Sequence, residues 1–319
     1  MQQRVLLTGG SGFWGQHLKA ALEKREYNVV APTRHELNLV YDSWLEIWSY
    51  INGIRPDYII HAAADCGGLP YNKANPYKLY SQNIMMGMNL LEAITSKTKF
   101  ELNIKKFVNF GTICMYPKVP DTIPFKESSL FNGFQEETNA PYALAKQGIM
   151  IAGNAARQQH GLPFITVMPT NTYGPGDCVD LERSHIIGAA LNKINAAKQN
   201  IECQPPTFLG TGEATRDFLY IEDGVEAVIS AMENYDEPTP LNIGSGKETS
   251  IKEIVECIAF WMGYHGYIRW SGDASMNGQP RRVLDISLAK EKLNWYPKHT
   301  LDEGIKKTVE WYNEQYQSL

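Results

Sequence analysis

The chain has 319 residues, is 43% hydrophobic and 20% charged, and carries a formal net charge of −5. That balance is ordinary for a globular protein with a sizeable core, and the length exceeds a typical single domain, so two lobes are expected. An acidic chain lacks the basic footprint of a nucleic-acid binder, and its longest apolar runs, such as Ile59 to Ala64, fall far short of the ~20 residues that span a bilayer.

In chain order, the N-terminus passes directly into a strand, Arg4 to Thr8, and then into a turn with Gly9, Gly12 and Gly15 three residues apart. A removable secretory signal there would destroy the motif, so a cytoplasmic location is expected. A helix over Gln16 to Lys24 follows. Strand, glycine turn and helix together fit a dinucleotide pyrophosphate: the glycines permit a tight turn and close backbone approach, and the helix N-terminus favours anions. The second strand, Asn28 to Ala31, ends without the acidic residue that reads an NAD ribose. Arg34 stands there instead, with a fork suited to a ribose 2′-phosphate, which favours NADP.

Beyond it, helices are predicted over Asp42 to Asn52, Lys78 to Ser96 and Tyr142 to Gln159, and strands over Tyr58 to His61, Lys106 to Phe110 and Phe164 to Met168. Alternation of this kind predicts an α/β fold: a Rossmann-type, doubly wound parallel sheet with right-handed crossovers and both faces covered. From Tyr173 the pattern weakens. Helices are predicted over Ser184 to Lys198, Ser250 to Met262 and Leu301 to Tyr316, and a short strand over Leu241 to Ile243. The expected division is a dinucleotide-binding domain over 1–172, with later returns near 217–245, and a smaller α/β substrate lobe over 173–319. Five cysteines (Cys66, Cys114, Cys178, Cys203, Cys257) are odd in number and scattered, so neither a disulfide framework nor a zinc site is indicated.

Thr112 and Cys114 stand just after the fourth strand. Tyr142 and Lys146, spaced i, i+4, project from one helical face, where an ammonium can lower the phenol's pKa and ready it for proton transfer. Hydride transfer uses the Tyr and Lys but has no need of a thiol, so Cys114 adds a second acid/base group. Taken singly, Cys114 reads better as a small buried hydrophobe, and a solvated surface charge is the alternative for Arg34.

In combination, Gly9-x-x-Gly12-x-x-Gly15, His61-Ala62-Ala63-Ala64 and Tyr142-x-x-x-Lys146 resemble the extended short-chain dehydrogenase/reductases. Gly111-Thr112-Ile113-Cys114-Met115-Tyr116-Pro117, Asn139-Ala140-Pro141-Tyr142, Met168 to Pro175 and Ser184-His185-Ile186-Ile187 narrow the resemblance to the GDP-L-fucose synthase family of bifunctional epimerase/reductases. Glu36 to Leu39, Arg216 to Leu219 and Pro280 to Arg282 extend it over nearly the whole chain.

The resemblance implies a GDP-4-keto-6-deoxy-mannose substrate, epimerised at carbons 3 and 5 and reduced at carbon 4 by NADPH. It implies that Thr112 and Tyr142 hold the ketone oxygen, that Tyr142 gives the proton during reduction, and that Lys146 binds the cofactor ribose. Cys114 and His185 would be the acid and base of epimerisation. Cofactor contacts are implied at Gly9, Gly12, Phe13, Trp14, Gly15, Arg34, Asn38, Leu39, Ala62, Ala63, Ala64, Pro169, Asn171, Thr172 and His185, besides Tyr142 and Lys146. Sugar-nucleotide contacts are implied at Asn171, Lys193, Leu209, Arg216 and Arg282. A homodimer is implied through the helices over Lys78 to Ser96 and Tyr142 to Gln159; Ile84, Met88, Leu91 and Ile94 form a stripe on the first that faces either a partner or its own sheet.

Departures from the family pattern lie mostly around the substrate: Thr112 for serine, Lys193 for arginine, Leu209 for tryptophan, and Asp65-Cys66 for Lys-Val. Ser11 replaces an arginine of the glycine turn, leaving Arg34 to carry the NADP preference. These changes keep open a carbon-4 reductase acting on another GDP-4-keto-deoxy sugar, such as a 6-deoxy-heptose. An epimerase that uses NAD transiently and a non-catalytic dinucleotide-binding regulator are the further alternatives.

Overall fold

A computed structural model describes residues 2–96, 102–199 and 204–316, so Cys203 lies outside the described residues. The first half runs β1 (Arg4–Thr8), α1 (Phe13–Lys24), β2 (Asn28–Val30), α2 (Trp44–Ile54), β3 (Tyr58–His61), α3 (Leu69–Ala74), α4 (Pro76–Thr95), β4 (Lys106–Phe110), α5 (Ala140–His160) and β5 (Phe164–Pro169). The second half runs β6 (Asn171–Tyr173), α6 (Ile186–Gln199), β7 (Thr207–Phe208), β8 (Thr215–Arg216), β9 (Phe218–Tyr220), α7 (Ile221–Asn234), β10 (Leu241–Ile243), β11 (Thr249–Ser250), α8 (Ile251–Trp261), β12 (Arg269–Trp270), β13 (Arg281–Arg282), α9 (Ser287–Leu293) and α10 (Leu301–Tyr316).

Six strands form one sheet in the order β2-β1-β3-β4-β5-β10, every neighbour parallel. Successive strand residues point to opposite faces, so each apolar pair supplies both cores at once. Leu6, Ile59 and Phe107 enter the cluster with Ile47 of α2, Leu90 of α4 and Ile149 of α5. Their neighbours Leu7, Ile60 and Val108 enter the opposite cluster with Leu18 of α1 and Val228 and Met232 of α7. Truncating any of these buried leucines or isoleucines to alanine costs about 2–5 kcal/mol, so the sheet is a rigid platform for the loops at its ends.

β1 feeds β2 on one side and is flanked by β3 on the other. The carboxyl ends of β1 and β3 therefore flank a switch point, where doubly wound sheets open a crevice for ligand. β10, far along the chain, returns to pair with β5. Before and after β10 the chain adds three small sheets, β11-β8-β13, β12-β7 and β6-β9.

Helix α7 was not expected from the sequence. It buries Ile221, Val225, Val228, Ile229 and Met232 while Glu222 and Glu233 stay exposed, so its apolar and polar faces were both present in the sequence and the reading passed over them. On α4, Leu91 is buried and Ile84 and Ile94 are half-buried against the sheet cluster, whereas Met88 is exposed. The stripe predicted on that helix thus faces its own sheet. No helix among the described residues is long and apolar enough to cross a membrane.

Candidate active site

The glycine turn at the end of β1 fits a pyrophosphate. Gly9 has φ of +78°, and a Cβ there would lie 2.7 Å from the backbone N of Ala63. A Cβ on Gly15 would overlap the Gly9 carbonyl oxygen, so α1 can start this close to β1 only without side chains. Gly12 is the N-cap of α1 and offers no side-chain cap, and no acidic residue occupies the first turn. The amide N–H groups there are left to a bound anion.

Ala62, Ala63 and Ala64 are half-buried just beyond β3, beside this turn. Phe13 meets the His17 ring edge-on at 5.6 Å. Trp14 turns inward, packing edge-on against Phe110 at 5.1 Å and over Gly224, so its side chain belongs to the core and only its backbone faces the turn. Arg34 is exposed past the end of β2, as a 2′-phosphate reader requires. The neighbouring positions support the loop: the Asn38 carbonyl Oδ1 accepts from the N–H of Val40 and Tyr41 at 3.2 and 3.3 Å, and the buried Leu39 accepts at its carbonyl from Asn89 Nδ2 at 2.9 Å. Past β5, which ends at Pro169, Asn171 Nδ2 donates to the Asp217 carbonyl at 3.0 Å and Thr172 Oγ1 to the Thr170 carbonyl at 3.2 Å.

Thr112 caps a single 3-10 turn, Ile113–Met115, directly after β4; its Oγ1 accepts from the Cys114 N–H at 3.2 Å. The turn carries the thiol toward the crevice, where Arg282 of β13 donates to Cys114 Sγ at 3.3 Å. Arg282 Nε is buried with no hydrogen-bond partner among the described residues. Arg216 of β8 lies alongside; its guanidinium donates to the carbonyls of Thr215 and Gln279 at 2.7 Å each and of Asn277 at 3.1 Å. Burial and the charge of Arg282 pull Arg216 down to about 10. His185, just before α6 and exposed on one side, is held below its usual pKa by the protein packed on the other and by the Arg282 charge, which keeps its imidazole neutral and free to accept a proton. The same guanidinium thus donates to the thiol and extends its charge to the imidazole.

On α5, Lys146 is 1% exposed, and burial lowers its ammonium to about 8. Its charge, after burial, also helps press His61 down to about 3; His61 Nδ1 lies 2.8 Å from Thr8 Oγ1. The Tyr142 phenol is raised well above its ordinary value, first by burial and then by the neighbouring Cys66 and Cys114. This reverses the expectation from spacing alone that Lys146 lowers it. Sharing a face gives proximity, but desolvation acts on both groups and wins at the phenol. A proton donor benefits, since Tyr142 stays loaded throughout the neutral range.

Because Lys146 is charged below about 8 and neutral above it, reductase activity that relies on its ammonium declines as pH rises through about 8, two units below an exposed lysine. The pH profile of kcat/KM for NADPH should show that alkaline limb, and Lys146→Met should remove it along with most of the activity.

Lys193 and Leu209 stand apart from this cluster. Lys193 Nζ donates to the Thr207 carbonyl at 2.8 Å and lies 5.0 Å over the Phe208 ring, beside a cavity of about 220 Å³ lined by Leu181, Lys193, Pro206 and Thr207 among others. Leu209, 59% exposed, follows that strand. Sequence reasoning assigned no site role to Cys66. It stands beyond β3, open to solvent on one side and ringed by protein elsewhere, so burial raises its thiol while Lys146 opposes the shift. Its only signal in the sequence is the unusual Asp65-Cys66 pair. Asp177, half-buried, is pushed up to about 7 by the protein around it.

A parallel doubly wound sheet, a glycine cradle at its switch point and a Tyr/Lys pair on the helix beside it define a dinucleotide-dependent enzyme of the short-chain dehydrogenase/reductase class. The family model described as NAD dependent epimerase/dehydratase family matches residues 5–244, and the chain belongs to that family. It is 34% identical over 313 residues to "Probable GDP-L-fucose synthase 1" of Oryza sativa subsp. japonica, covering 98% of this chain and 92% of the relative. It is 33% identical to "GDP-L-colitose synthase" of Yersinia pseudotuberculosis, covering 97% of each. Among solved structures, a GDP-6-OMe-4-keto-L-xylo-heptose reductase from C. jejuni superposes with a TM-score of 0.88 at 27% identity, covering 98% of each chain.

Proposed function

We propose that this protein converts a GDP-4-keto-6-deoxy sugar with NADPH, epimerising carbons 3 and 5 and then reducing the carbon-4 ketone. The observation that carries this reading is the Cys114 thiol held at 3.3 Å by Arg282, whose charge also reaches His185, with Cys114 near enough to Tyr142 to raise its phenol. Ketone reduction alone has no use for a thiol and an imidazole at the same site.

The chemistry follows from one carbonyl. A ketone at carbon 4 acidifies the hydrogens on both neighbouring carbons, because the enolate places its charge on oxygen. Thr112 and Tyr142 hold that oxygen in both phases, and their hydrogen bonds strengthen as its charge grows. Cys114 and His185 share the base and acid roles on opposite sides of the ring, and the neutral His185 imidazole is ready to accept a proton. NADPH, when bound, supplies the hydride to carbon 4. Tyr142 then delivers its proton to the developing alkoxide, while Lys146 donates to the cofactor ribose. Arg34 receives the 2′-phosphate, and Arg216 and Arg282 offer charge to the diphosphate. The small sheets and α6, with the cavity beside Lys193, make up the lobe that holds the nucleotide.

The relatives named as GDP-L-fucose synthase and GDP-L-colitose synthase support a GDP-linked keto-deoxy sugar. The heptose reductase likeness favours a second reading, in which the same residues reduce carbon 4 of a GDP-heptose and Cys114 and His185 stay idle. Consumption of NADPH with GDP-4-keto-6-deoxy-mannose tests the enzyme assignment directly. Absence of turnover with that sugar and with a GDP-4-keto-heptose would sink both readings.

Homodimerisation through α4 and α5 is part of the same proposal. Tyr77 (83% exposed), Met88 (41%) and Ile151 (55%) leave apolar side chains exposed on these two helices, the surface that such a pairing would cover. Light scattering of the purified chain should return twice the 36.0 kDa monomer mass, and a monomer would contradict it.

A further inference from the structure

Asp65 stands one residue before Cys66 in the loop after β3, and it is only 4% exposed. Its backbone is pinned on both sides by Asn83 of α4, whose Oδ1 accepts from the Asp65 N–H at 3.0 Å and whose Nδ2 donates to the Asp65 carbonyl at 2.9 Å. The Tyr71 hydroxyl donates to its two carboxylate oxygens at 2.9 and 3.1 Å. Lys78 Nζ lies 3.4 Å from Oδ2 and an Arg183 guanidinium nitrogen 3.6 Å from Oδ1. A carboxylate this buried and this restrained is a fixed anchor, and of the groups upon it only Arg183 comes from the distant segment before α6.

Arg183 is bound to this loop three ways. Besides the ion pair, its guanidinium lies 4.8 Å over the Tyr71 ring, and its carbonyl accepts from the Gly68 N–H at 2.9 Å. A Cβ on Gly68 would come within 2.5 Å of the Ser184 carbonyl oxygen, so the two backbones touch. The Asp180 carbonyl accepts from the N–H of Arg183 and Ser184 at 3.2 and 2.7 Å, closing a tight turn. His185 is the next residue. Its own carbonyl accepts from the Ala189 N–H at 3.0 Å as α6 begins, so its backbone is held from both sides.

We propose that Asp65 and Arg183 are positioning residues: their ion pair, seated on Tyr71, sets where the His185 imidazole stands in the crevice relative to Cys114 and Arg282. Neither touches the sugar in this role. A displacement of about 1 Å at an acid/base group can cost about 10²-fold in rate, whereas loss of the Arg183 pairing leaves Lys78 and Tyr71 on the Asp65 carboxylate and so costs little overall stability. The two effects therefore separate in experiment. This inference rests on the assignment of His185 to epimerisation made above.

The test compares wild type with Arg183→Met, Asp65→Asn and Arg183→Lys. The carbon-13 resonance of the His185 ring, assigned by its loss in His185→Gln among the seven histidines, reports position without substrate. In Arg183→Met and Asp65→Asn it should shift or broaden, and in Arg183→Lys it should return toward the wild-type position. Solvent-deuterium exchange at carbons 3 and 5 should fall about 10²-fold in the first two variants, with the Kd for NADPH unchanged and the melting temperature moved by no more than about 4 °C in Arg183→Met. Arg183 is half exposed, so its variant decides the matter if Asp65→Asn does not fold. An unmoved His185 resonance in Arg183→Met overturns the proposal. Wild type that exchanges no deuterium defeats the epimerase reading instead, and leaves the resonance to judge the anchoring role by itself.

Discussion

Tyr142→Phe is expected to lower kcat for ketone reduction by about 10²–10⁴-fold, with substrate and cofactor affinities nearly intact. The substitution removes one oxygen and keeps the ring that packs at the start of α5 beneath the crevice. Hydride delivery to a ketone leaves charge on oxygen, and without a donor at hand that charge is born unneutralised in a partly dry site. Burial holds the Tyr142 phenol well above its ordinary pKa, so wild type keeps its proton across the neutral range and the loss in the variant should not depend on pH there. NADPH oxidation in single turnover measures it. A Tyr142→Phe enzyme within tenfold of wild type would place the proton donor elsewhere, with Thr112 the next candidate.

Cys114→Ala and His185→Gln should divide the two chemistries. Each is expected to slow proton exchange at carbon 3 or carbon 5 by about 10²–10⁴-fold, while reduction of a sugar supplied already epimerised continues at a rate close to wild type. The prediction follows from separation within the site. The thiol is held by Arg282 of β13, whose charge also reaches the imidazole, whereas the proton donor and the ribose-binding ammonium of hydride transfer are different groups, on α5. Proton exchange read by mass in heavy water distinguishes the two carbons and shows whether each residue serves one of them or both. If both variants lose reduction and exchange in equal proportion, the two groups serve a single step and the division fails.

The strands that carry the site were legible because their period and length are strong. β1, β3 and β4 occupy the same residues in the sequence reading and in the structure, since a parallel strand buried on both faces writes a compact apolar run between breakers. α1, α2, α4 and α5 were visible for the complementary reason, each having a solvated side. The second half hid its strands: β7, β8, β11, β12 and β13 have two residues each, too few to show any alternation. Motif spacing located the backbone of the cofactor turn correctly, yet it could not reveal that the Trp14 side chain turns into the core. The same limit applied to Tyr142 and Lys146. Their spacing gave the shared face, but the direction of each pKa depends on the protein stacked around them. Cys66 and the Asp65–Arg183 contact belong to no periodic pattern, and they emerge only when the β3 loop meets the segment before α6.

The central claim is that one site both moves protons at carbons 3 and 5 and reduces carbon 4. Wild-type enzyme with GDP-4-keto-6-deoxy-mannose and NADPH in heavy water, followed by mass and position of label in the product, addresses it in one reaction. The account predicts deuterium at both carbons together with stoichiometric NADPH oxidation. Stoichiometric oxidation with no deuterium at either carbon would contradict it and leave a carbon-4 reductase.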